Sequence, residues 1–155
     1  MRDSRFVRLA RRRPTLVHFL TALLVFRIVT TITEFSEQRI TYFSLVITAA
    51  LALETWRAWE VAHAPGAVRT DPTTTSWDRF LNPFERYGAA VCWVLTVIYA
   101  VGYVVLKIEG VNAHTVIDVV TVVRELQFLV LLGVLLAGFA AVREADRAAE
   151  GAAPT

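Results

Sequence analysis

The sequence predicts an all-α integral membrane protein, a four-helix antiparallel bundle with both termini on the cytoplasmic side. Three observations lead there. Apolar residues make up 55% of the 155 positions, and a mean hydropathy of +0.50 is high for a soluble domain. They gather in four blocks, at about 15–34, 40–61, 87–108 and 117–142, each close to the ~20 residues that a helix needs to cross hydrocarbon. Segments such as LTALLVF and AAVCWVLTVIYAVGYVVL lack the alternating polar face of a soluble bundle helix.

The third observation is charge asymmetry. Of the 16 Lys and Arg residues, Arg2, Arg5, Arg8, Arg11, Arg12, Arg13, Arg57, Arg69, Arg79, Arg86, Arg143 and Arg147 fall on one side of a four-span layout. Only Arg39 and Lys107 flank the other side. The positive-inside rule then places both termini in the cytoplasm, and the expected location is the cytoplasmic (plasma) membrane.

Residues 1–14 form a basic head. Arg5, Arg8 and Arg12 recur at helical spacing, with Phe6, Val7 and Leu9 between them. A short helix lying on anionic lipid fits this pattern, but the plainer expectation is a topology signal. Pro14 suits the first turn of a helix.

The first span, TLVHFLTALLVFRIVTTITE, carries Arg27 in its middle. A bare guanidinium in hydrocarbon costs from about 3 to over 10 kcal/mol, so neighbouring helices must cover it. The apolar run is too long for a cleaved leader and lacks a small-residue cleavage site, so it is expected to remain as an anchor. A tight reversal at Phe35–Arg39 follows, with Ser36 an expected N-cap of the second helix. That helix ends in ETWRAWEVAH, where Trp56 and Trp59 suit the headgroup level.

Residues 63–82 are the one long loop, broken by Pro65, Gly66 and Pro72. Ser76 is expected to cap a surface turn that dips Trp77, Phe80 and Leu81 into the interface. Asn82-Pro83-Phe84-Glu85 reads as the start of the third helix, with Asn as N-cap and Pro at N1. Thr115 and Asp118 resemble a capping box for the fourth. Gly133, Ala137 and Gly138 there would let another backbone come close. Residues 143–155 form a solvated tail. Cys92 is the single cysteine, so no intrachain disulfide forms, and it reads as a small packing residue.

The candidate functional residues are ionisable groups inside the spans: Arg27, Glu54, Arg124 and Glu125, with Glu34 and Asp118 near the outer edge. Side chains lean toward their own helix N-terminus, so in antiparallel neighbours Arg27 and Glu54 lean toward each other and are the first-choice pair. Glu125 is the competitor for Arg27. Arg124 lies at the depth of Glu34 and is expected to reach it. Such residues either fix helix register or line an ion or proton path.

His18 and His63 lie near the cytoplasmic edge and are weak candidates for a bis-His haem. No CxxCH or HExxH spacing occurs, and no cofactor or metal is expected. No phosphate-binding loop, GxSxG or paired soluble carboxylates point to an enzyme. The basic residues lack the interleaved aromatics of a single-strand nucleic-acid binder. Four spans with an arginine in the last resemble a voltage-sensor domain in layout, but Arg124 stands alone where that family repeats one every third position.

The expected partners are the lipid bilayer and either a second copy or another protein, met through loop 63–82 and the basic head. Three classes remain: a channel-like or membrane-perturbing homo-oligomer, a non-catalytic membrane subunit, regulator or exclusion factor, and a haem-carrying redox subunit.

Overall fold

The computed structural model describes residues 5–39, 42–64 and 75–151, with side chains from Val7 onward. Loop positions 65–74, with the expected breakers Pro65, Gly66 and Pro72, lie outside the described residues. So do 1–4, 40–41 and 152–155.

Every regular element among the described residues is helical. They are α1 (Arg5–Arg12), α2 (Pro14–Ser36), α3 (Tyr42–Ala62), α4 (Asp78–Pro83), a π-helical turn (Phe84–Gly88), α5 (Ala89–Ile108) and α6 (His114–Gly151). Among the described residues, three stretches are long and apolar enough to cross a membrane: Pro14–Ser36, Asp78–Ile108 and His114–Gly151. Helix α3 has the length, at 21 residues, but Glu54, Arg57 and Glu60 in its second half lower its hydropathy below theirs.

Helix α2 is the hub, packing against α3, α5 and α6. Its position shows in its burial: 56% of its apolar window is covered, against 17% for Asp78–Ile108 and 33% for α6. Leu16, Phe19, Leu20, Ala22 and Leu23 form the core with Leu131, Val134, Ala137, Ala141 and Val142 of α6. The uncovered sides of α5 and α6 are apolar, with Val94, Val97, Ile98, Val101, Leu129 and Leu136 exposed. Exposed aliphatic faces of that extent fit a lipid solvent rather than water.

Several local expectations are corrected. Pro83 does not open a helix. It lies inside a continuous one that begins at Asp78, and the π-turn after it absorbs the backbone disruption that a proline causes. At Gly88, which closes that turn, an added Cβ would lie 2.6 Å from the Phe19 ring, so only glycine permits this approach of α2.

Ser36 does not cap α3 but ends α2. The chain turns there through Gln38 at φ 56, with Arg39 N–H donating to the Glu34 carbonyl at 2.8 Å. Asn112, rather than Thr115 with Asp118, caps α6, its Oδ1 accepting from His114 N–H at 2.9 Å. Gly133 meets nothing within 4 Å, whereas a Cβ on Gly138 would press on Leu9 at 2.8 Å.

The basic head is more than a topology signal. Leu9 and Ala10 of α1 are buried, Ala10 against Val17 and Ala58. Arg8 pairs with Asp146 at 2.6 Å, and Arg12 donates to the Ala141 carbonyl at 3.0 Å. Of the surface-turn residues, Trp77 and Phe80 are exposed while Leu81 is fully buried. Ser76 hydroxyl donates to Glu144 at 2.7 Å and ties this turn to α6.

Candidate functional site

Buried polar residues on α2, α3 and α6 form one chain through the helix interior. The buried side of α3 is set by Ser44, Thr48, Thr55 and Ala58, which recur at helical spacing and face α2. Arg27, 2% exposed, donates from Nε to Thr48 Oγ1 at 3.1 Å. Thr48 donates in turn to the Ser44 carbonyl at 2.7 Å and lies 3.3 Å from the Thr31 hydroxyl. Ser44 Oγ reaches Glu34 Oε2 at 3.5 Å.

Glu34 is the acidic centre of the chain. Its Oε1 accepts from Arg124 Nη1 at 2.5 Å and from Thr121 Oγ1 at 3.3 Å. Both partners of this ion pair are more than nine-tenths buried. Arg124 also faces Glu125, at 3.5 Å from Nε. Nearby, Thr33 and Tyr99 hydroxyls share a bond of 2.6 Å that links α2 to α5.

The structure does not join Arg27 to Glu54. Glu54 lies one residue off the buried α3 face and turns outward, accepting from Arg57 at 3.1 Å. No carboxylate comes within ion-pair distance of Arg27 among the described residues; the charges that act on it from further off are Arg124, Glu125 and Glu34. Asp118, at the same end, pairs with Arg39 at 2.5 Å and stands apart from the buried chain.

A second buried ion cluster lies at the opposite end, where α1 meets α2. Arg13 pairs with Asp78, with Glu85 at 2.9 Å, and with Asn82 Oδ1 at 3.3 Å. Thr75 N–H donates to Asp78 at 2.5 Å. Burial opposes the charge on Arg13, but the hydrogen bonds and charges of Glu85 and Asp78 outweigh it and raise its pKa. Glu37, just past the C-terminal end of α2, pairs with Lys107 and accepts from Tyr103 at 2.8 Å; these two contacts lower its pKa.

No protein family, characterised protein or solved structure matches this chain. Function must therefore be argued from the side chains. His18 and His63 have ring centroids 6.3 Å apart, but Trp59 touches both and stacks on His63 at 4.2 Å. The three are an edge-and-face ring cluster between α2 and the end of α3. No group of three or more potential metal ligands occurs among the described residues.

Sequence reasoning missed Thr48 and Ser44, which bridge the charges, and the Arg13 cluster. A signal for Thr48 and Ser44 existed. Small and hydroxyl residues at 44, 48, 55 and 58 mark one α3 face, and Glu54 is not on it.

Proposed function

We propose that the chain is a four-span protein of the cytoplasmic membrane with both termini inside. In this reading it assembles as a homo-oligomer whose intramembrane charges govern the passage of ions, making it channel-like or membrane-perturbing and not an enzyme. The fourth span is α3, whose 21 residues reach about 32 Å at 1.5 Å per residue. Its last two turns, with Trp56 and Trp59, then approach the headgroups, beside the arginines of the head.

Glu125 carries this reading. Its side chain is 51% exposed on a flank of α6 where Val122, Leu126 and Leu129 are exposed too. A carboxylate facing acyl chains at that depth is expensive, and a second copy presenting polar groups relieves the cost. Purified protein in liposomes tests it. We expect ion flux that Glu125→Gln strongly reduces. Folded, oligomeric protein that passes no ion overturns the reading.

The alternative is a non-catalytic subunit or regulator that meets another protein through loop 63–82 and the basic head. What favours it is the interior of the single protomer. None of the three cavities described below is lined by Arg27, Glu34 or Arg124. A pure scaffold passes no ions and retains its partner in mild detergent.

A further inference from the structure

Where the long helix from Asp78 leaves its π-turn and becomes α5, a polar space and an apolar space adjoin. The polar one is a cleft of about 530 Å³ lined by Thr15, Arg79, Asn82, Glu85 and Arg86, with Pro83 and Tyr87 at its edge. The apolar one is a groove of about 380 Å³ between α5 and α6, floored by Phe19 and Leu23 of α2. Pro83 and Tyr87 line both. A further apolar groove of about 490 Å³, floored by Phe26, continues the furrow and shares Leu95 and Val123 with it.

We propose that cleft and furrow together hold one anionic phospholipid, its phosphate against Arg79 and Arg86 and an acyl chain along the furrow. The inference rests on the membrane reading above and makes no use of ion passage.

Charge complementarity selects this occupant. Neither Arg79 nor Arg86 has an ion pair or hydrogen bond among the described residues, and both are exposed. Among the described residues Glu85 is the one acid lining the cleft, and its carboxylate faces Arg13. Asn82 gives its amide oxygen to the same arginine, which leaves its NH₂ free to donate. The cleft therefore offers two uncompensated guanidinium groups and further donors, the set that phosphate takes.

The furrow offers what an acyl chain takes: aliphatic and aromatic walls, reached directly from the phosphate site. A zwitterionic headgroup would bring a third positive charge into the cleft, so an anionic lipid is preferred. A helix from a second copy would fill the furrow but leave both arginines unmatched.

Native mass spectrometry of full-length protein released from nanodiscs tests this, with phosphatidylglycerol, phosphatidylcholine and added inorganic phosphate as the three probes. One phosphatidylglycerol per chain should be retained under conditions that strip phosphatidylcholine, and inorganic phosphate should not displace it. The double variant Arg79→Gln/Arg86→Gln should lower retention roughly tenfold or more, since each arginine near anionic lipid contributes on the order of 1 kcal/mol. Val123→Trp, which fills the furrow, should lower it as well.

Both substituted arginines are exposed, so the double variant decides even where Val123→Trp folds poorly. Equal retention of the two lipids, retention unchanged in the arginine variant, displacement by inorganic phosphate, or a lipid-free dimer each overturns the proposal. Loss of ion flux touches only the function proposed above, and loss of lipid selectivity only this site.

Discussion

Arg124 and Arg27 present the same side chain in two apolar helices, both almost wholly buried, yet they are satisfied in opposite ways. Arg124 has Glu34 at 2.5 Å and Glu125 alongside. Arg27 has one threonine hydroxyl and only distant acids. The first region is a buried ion pair joining α2 to α6. The second is a charge held by a hydroxyl ladder between α2 and α3. Burial alone does not imply a counter-ion, and the two arginines should respond differently to removal.

The largest effect is expected at Arg124. Its replacement by Leu leaves the Glu34 carboxylate buried and unpaired, which should cost about 3–5 kcal/mol in reversible unfolding from mixed detergent micelles. Thr48→Val comes next. It removes the hydroxyl that accepts from Arg27, and a buried donor left unsatisfied costs about 1–3 kcal/mol.

Arg27→Leu should cost less than either, within about 1 kcal/mol of the parent, because no acid is stranded and a desolvated charge is removed. A loss as large as that of Arg124→Leu would erase the distinction between the two regions.

The smallest effect is a pH response at the chain reversal. Lys107, then Tyr103, hold the Glu37 pKa below the ordinary carboxylate range. A folded-state pKa below the unfolded one means that this contact stabilises fully above the ordinary range and is lost as pH falls through the lowered value. Melting followed against pH should therefore show an acid limb that Glu37→Gln shallows, and an unchanged limb would discount the contact.

Helical class and apolar stretches were legible because hydropathy needs only composition over about 20 residues. Height along the helices was legible too: counting 1.5 Å per residue sets Arg124 level with Glu34, and the two pair. Azimuth was harder. Arg27 and Glu54 satisfy a depth argument, but Glu54 lies about 100° around α3 from Thr55, on the side turned from α2. Pro83 misled for a different reason, since its fit at a helix start is equally met by a π-turn within a helix. The cleft with Arg79 and Arg86 depends on that unbroken helix and so was invisible locally.

Two double-mutant cycles measured side by side in the same micelles test the central claim, one on Glu34 and Arg124, the other on Glu54 and Arg27, with Leu at each position. The first should show a coupling of about 2–3 kcal/mol and the second should be additive within about 0.5 kcal/mol. Additivity at Glu34 and Arg124, or strong coupling between Glu54 and Arg27, would contradict the account.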